Sequence, residues 1–161
     1  MSGKKILVVY FSCSGRTAKT AKMLAEAAGA DIFEIKPEIP YKKEDLNWND
    51  KNSRSTIEMN DPASRPAIAE KLSNMADYDV VFVGFPIWWY IAPTIINTFL
   101  ESYDFAGKTI VPFATSGGSG MGKTDEVLHA LCPDTVKWEK GRLLNRESKE
   151  EMKSWVDSIV K

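Results

Sequence analysis

The chain holds only two cysteines and one histidine, has no apolar run of membrane-spanning length, and carries no excess of either charge. Cys13 and Cys132 stand too far apart for a metal-ligand spacing, and two cysteines in a chain this long do not suggest a disulfide scaffold. A reducing compartment follows from that reading. With 21 Lys and Arg against 22 Asp and Glu, the net charge is −1, which implies no nucleic-acid surface. The six apolar residues Ile6 to Phe11 are too few to cross a bilayer, so no membrane insertion is expected. Met-Ser-Gly-Lys-Lys before that run has the outline of a signal peptide, but no small-residue cleavage site follows, and the expected location is cytoplasmic.

What remains is an ordinary globular composition, 43% hydrophobic and 27% charged. At 161 residues the chain reads as a single domain, 1–161. Ile6 to Phe11, rich in branched and aromatic side chains, predicts a central strand. Ala18, Ala21, Leu24, Ala25 and Ala28 recur at helical spacing over 16–28, and Gly29 supplies the stop. A second strand follows at 30–35. Residues 37–63, with three prolines and mixed charge, predict a long loop or insertion. Ile68, Leu72 and Met75 predict a helix over 64–76, and Asp79 to Phe85 another buried strand. Further helices are predicted after Pro93 and over 125–131, with strands at 109–114 and, weakly, at 135–138. Ser148 and Glu151 form a capping box ahead of Met152, Trp155, Val156, Ile159 and Val160, which predicts a closing helix. Strands alternating with helices imply an α/β fold, a doubly wound five-stranded parallel sheet with helices on both faces. Ligands then belong beyond the carboxyl ends of the strands, at the switch point.

Three loops leaving those ends are chemically distinctive. Ser12 to Thr17 places hydroxyls and a glycine where a helix begins, an arrangement suited to an anion, or to a plain strand-to-helix turn. Gly84 to Pro93, GFPIWWYIAP, brackets Trp88, Trp89 and Tyr90 between prolines. Successive side chains of an extended loop face different directions, so these rings either cover the sheet edge or offer a platform for a flat ligand. Ala114 to Gly122, ATSGGSGMG, lets the backbone approach a ligand closely, or serves only as a glycine-rich turn.

Together the S-x-S-G-x-T turn, the P-x-W-W loop and the T-S-G-G-S loop resemble those of the flavodoxin family, in particular its short bacterial members. The resemblance extends over YFSCSGRTAKTA, over FPIWWYIAPTIINTFLESYDFAGKTIVPFATSGGSGMG and over the insertion from Tyr41 to Pro66, most of the chain. It implies a flavodoxin-like sheet of order 2-1-3-4-5 and a non-covalent FMN. It further implies phosphate contacts at Ser12, Ser14, Gly15, Arg16, Thr17 and Ala18. Ring contacts are implied at Pro86, Ile87, Trp88, Trp89 and Tyr90, with Thr115, Ser116, Gly117 and Gly118 along the other edge. Tyr90 stands where the family pattern has glycine, and Arg16 where many relatives have asparagine. Arg16 adds a charge suited to a phosphate.

Two rival motifs occupy the same loops. Residues 117–124, GGSGMGKT, match the G-x-x-x-x-G-K-[ST] phosphate loop of nucleotide hydrolases, but the strands ending FVGFP and LVVYFS offer no acidic residue for magnesium. Cys13 could serve as a phosphatase nucleophile only with an arginine six residues on, where Lys19 stands. His129 has no catalytic partner nearby in sequence, so a structural place at or near the surface is expected. The expected function is electron transfer through FMN, with redox proteins or a small acceptor such as a quinone as partners. An NAD(P)H-dependent quinone reductase is the alternative. Trp48 and Tyr41, in the insertion, are further candidates to cap the flavin or a partner site.

Overall fold

The computed structural model describes the chain except residues 1–4, 13–14, 48, 62, 88–91, 116–123, 130–131, 133–134, 140, 145–147 and 161. Its centre is the set of unbroken apolar runs. β1 (Ile6–Tyr10), β3 (Val80–Pro86) and β4 (Thr109–Thr115) lie side by side, flanked by β2 (Asp31–Glu34) and β5 (Lys137–Trp138). All pair in parallel, in the order β2-β1-β3-β4-β5. This is the order implied from the sequence.

Alternate residues of each strand feed two cores. Leu7, Val9, Val81, Val83, Phe85 and Ile110 face α3 (Thr94–Glu101) through Ile95, Ile96, Phe99 and Leu100, and Leu128 of α4 (Thr124–His129) joins them. Val8, Tyr10, Val80, Phe82, Val111 and Phe113 face α1 (Arg16–Ala28) and α5 (Lys149–Val160) through Ala21, Leu24, Met152 and Val156. Both faces are covered, which is why the central strands β1, β3 and β4 carry continuous apolar runs rather than alternating ones. The expected helix over 16–28 is met residue for residue, and Gly29 ends it at φ 62°. No helix of the described residues is long and apolar enough to cross a membrane.

The structure corrects three expectations. Residues 64–74 are not helical, and only a 3-10 turn at Met75–Asp77 lies within the expected span. Pro66 disfavours helical angles only at the preceding Arg65, and the backbone beyond it has other partners. Glu38 N–H donates to the Ala67 carbonyl (2.8 Å) and Ala69 N–H to the Lys36 carbonyl (2.7 Å), around an antiparallel Pro37–Ile68 bridge. The Tyr103 hydroxyl accepts from Leu72 N–H at 2.7 Å. Ile68, Leu72 and Met75 still reach the core, from chain without α-helix. The second α-helix instead lies inside the expected loop, α2 (Arg54–Met59), capped by the Ser53 hydroxyl.

The fifth sheet position, expected as one strand, is divided between β5 and β6 (Arg142–Leu143). β5 pairs with Thr109 and Ile110, and β6 with Phe113 and Ala114. The gap falls opposite Pro112. Even-numbered residues of β4 bond outward, as the Ile110 carbonyl does to Glu139 N–H (3.0 Å) and the Ala114 carbonyl to Leu144 N–H (2.8 Å). Pro112 has the same parity and no N–H to offer, so the outer ladder breaks there.

Candidate functional site

β1, β3 and β4 end at one level. Tyr10 pairs with Gly84, Gly84 with Phe113, and Pro86 with Thr115, so Ser12, two residues beyond Tyr10, comes level with Pro86 and Thr115. Phe11 N–H donates to the Gly84 carbonyl and Ile87 N–H to the Thr115 carbonyl, each at 2.9 Å, carrying the ladder to the mouth of the loops. The three distinctive loops therefore leave adjacent strands at the switch-point edge.

The first loop turns through Gly15 at φ 90°, a left-handed conformation that glycine adopts without strain. Gly15 N–H donates to Ser12 Oγ at 3.1 Å, closing the turn directly ahead of α1. The N–H groups of a helix's first turn have no acceptor within the helix, and they carry the positive end of its dipole. No acidic side chain occupies that turn of α1. Arg16 is exposed, Ser12 and Ala18 are half-buried, and Thr17 is buried. Thr17 Oγ1 lies 2.7 Å from Thr115 Oγ1, joining the start of α1 to the end of β4.

Of the residues singled out in the sequence, Ser12, Gly15, Arg16, Thr17, Ala18, Pro86, Ile87 and Thr115 come together at this edge. None of them is acidic. They combine hydroxyls, helix-start N–H groups and a guanidinium, a donor set suited to a phosphate dianion. Ser14, Trp88, Trp89, Tyr90, Ser116, Gly117 and Gly118 lie outside the described residues, as do Cys13 and Trp48. Of the nucleotide-hydrolase motif only Thr124 is described, at the start of α4.

Other titratable groups keep quiet roles. Burial, and then the charge of Glu34, push the Tyr10 phenol up, so it stays a neutral group. Burial, reinforced by Glu101, pushes the Cys132 thiol up to about 11, which leaves it protonated and a poor nucleophile at neutral pH. His129 is exposed and its ring lies 4.5 Å from that of Trp138, a structural contact. Among the described residues no cluster of His, Cys, Asp and Glu could hold a metal ion.

Sequence reasoning missed how the insertion is attached. The Tyr41 hydroxyl donates to Glu58 Oε1, Arg54 Nε donates to Glu58 Oε2 at 2.9 Å, and the Arg54 guanidinium sits 3.8 Å from the Tyr41 ring centroid. Tyr41 in turn meets Phe11 edge-on at 5.5 Å, directly before Ser12. The local signal was Ser53 as a helix cap with Arg54 and Glu58 four residues apart.

A parallel sheet of this order, with an anion-suited turn at its switch point, defines a doubly wound α/β protein of the flavodoxin-like class. The chain belongs to the flavodoxin family, whose profile, described as Flavodoxin, matches residues 5–159. It is similar to a candidate flavoprotein from Bacteroides eggerthii, at 52% identity over 99% of both chains with a TM-score of 0.94. A candidate flavoprotein from Bacteroides uniformis is 52% identical over 96% of this chain and 99% of its own, with a TM-score of 0.90. A flavoprotein from Lactobacillus acidophilus, solved in complex with FMN, shares the fold at 22% identity, covering 99% of this chain and 100% of its own with a TM-score of 0.73. Among curated proteins none matches the chain.

Proposed function

We propose that residues 1–161 form one FMN-binding unit that transfers electrons through the non-covalently held flavin. The carrying observation is the turn from Ser12 to Thr17, with Gly15 at φ 90° and the start of α1 behind it, level with Pro86 and Thr115. Its donors fit a phosphate in both charge and chemistry. Family membership supports the same ligand, as does the FMN bound by the Lactobacillus acidophilus protein of this fold.

In this reading Ser12, Ser14, Gly15, Arg16, Thr17 and Ala18 hold the phosphate. Pro86, Ile87, Trp88, Trp89 and Tyr90 would flank the ring on one side, and the segment from Ser116 to Gly118, which follows β4, on the other. FMN, when bound, supplies one- and two-electron redox chemistry. The chain neutralises the phosphate with the α1 dipole and Arg16. Its aromatic loop would exclude water from the ring face, and the glycine loop would bring backbone groups to the ring's polar edge.

One observation favours a second reading, an NAD(P)H-dependent reductase of a small acceptor such as a quinone. A strongly acidic surface steers a carrier to its protein partner, whereas this chain carries a net charge of only −1. A visible flavin spectrum of the purified protein, with FMN identified after heat release, tests the cofactor. A colourless protein with no affinity for added FMN would overturn the proposal. Steady-state oxidation of NADH or NADPH with a quinone then separates the two roles, because a pure carrier shows negligible turnover.

A further inference from the structure

Resting on the FMN reading above, we infer that Thr115 is a positioning residue for the phosphate and not a contact of the flavin ring. Its hydroxyl donates to Thr17 Oγ1 and thereby directs the single Thr17 proton to a phosphate oxygen.

The first support is strand parity. In β4, Val111 and Phe113 point to the face covered by α1 and α5. Thr115 shares their parity, so its side chain stands beneath the first turn of α1. The Thr115 carbonyl is already engaged by Ile87 N–H on the β3 side, which fixes the backbone in that orientation. At 2% exposure the hydroxyl is closed off from solvent, and its partner is Thr17 Oγ1 at 2.7 Å.

Proton counting supplies the second support. Each threonine hydroxyl carries one proton. Were Thr17 to donate to Thr115, it would present only lone pairs to an anion at the helix start. With Thr115 as donor, the Thr17 proton is free for the anion, and the two hydroxyls polarise one another in the same direction. The negative charge itself selects that polarity. Valine would match threonine in shape at the end of the buried apolar run from Ile110 to Ala114, so packing alone does not call for the hydroxyl.

Titration of the apo-protein with FMN and with riboflavin, which lacks the phosphate, followed by flavin fluorescence, tests the assignment in wild type, Thr115→Val and Thr115→Ser. Thr115→Val should weaken FMN about tenfold. Its riboflavin affinity should stay within about twofold, the change left when a single hydrogen bond near the low end of its range is disturbed. Thr115→Ser, which keeps the donor, should restore FMN affinity. Equal losses for both flavins in Thr115→Val would show a ring contact and overturn the inference, as would unchanged FMN affinity. A wild-type protein that binds neither flavin would overturn the FMN reading itself, a result distinct from both.

Discussion

Two glycines at the candidate site are retained for different physical reasons, and each reason makes its own forecast. A Cβ on Gly84 would sit 2.1 Å from Cζ of the fully buried Phe113 ring, whereas one on Gly15 would meet nothing within 4 Å. Gly84→Ala therefore overpacks the core and should cost about 1–3 kcal/mol, read from the urea midpoint. Adding Phe113→Leu should recover part of that loss by vacating the space. Gly15→Ala is strained through its backbone angle alone and should cost about 1–2 kcal/mol, with no relief from the Phe113 substitution. An unchanged midpoint in Gly84→Ala would mean that the ring gives way freely. The Gly15 role was legible in the sequence, since a hydroxyl, a glycine and a helix start are neighbours along the chain. The Gly84–Phe113 contact and the Thr17–Thr115 bond were not, because each joins residues brought together only by strand register.

Helix ends governed by adjacent residues were readable, and α5 shows why. Ser148 N–H donates to Glu151 Oε1 and Glu151 N–H donates to Ser148 Oγ, both at 3.1 Å. Ser148→Ala should lower stability by about 1 kcal/mol, the usual cost of a lost cap. The bonds from Ser148, with help from Arg142, hold the Glu151 carboxyl below its ordinary value of 4.5. A depressed folded value means that this contribution is fully present above pH 4.5 and is lost as the pH falls through the lowered value. Glu151→Gln keeps an acceptor oxygen without the titration, so its urea midpoint should fall less steeply with acid than that of wild type. Arg65 similarly lowers the Glu101 carboxyl, and that part of the acid response should persist in the variant. Identical acid limbs would exclude a role for the Glu151 charge. The span 64–76 misled for the complementary reason. Its apolar spacing was helical, but its hydrogen-bond partners, Lys36, Glu38 and Tyr103, lie far off in sequence. Pro112 marked the break in the outer ladder all along, yet its effect depends on which way β4 bonds.

At the scale of the whole molecule, the insertion and the anion-suited turn are mechanically joined through Phe11. Glu58 accepts from both Tyr41 and Arg54, and Arg54 also donates to the Ile39 carbonyl at 2.5 Å while covering the Tyr41 ring. The Arg54 and Glu58 side chains are only 21% and 12% exposed, so this pair is better shielded from solvent than an ordinary surface ion pair. Tyr41 passes the attachment on to Phe11, next to Ser12. Arg54→Ala would leave Glu58 without its cation and Tyr41 without its cover. The expected cost of about 1.4 kcal/mol corresponds to tenfold more frequent opening of the insertion. Trypsin should then cut after Lys42, Lys43 or Lys51 about tenfold faster when reclosing outpaces cleavage. Cleavage after Lys149, on α5, should keep its wild-type rate and serves as the internal reference. Arg54→Lys keeps the charge but not the planar fork that reaches Glu58 and the Ile39 carbonyl together, so its cleavage rate should fall between the two. Equal rates in all three proteins would place the attachment elsewhere, whereas faster cutting at Lys149 as well would indicate global destabilisation instead of a released insertion.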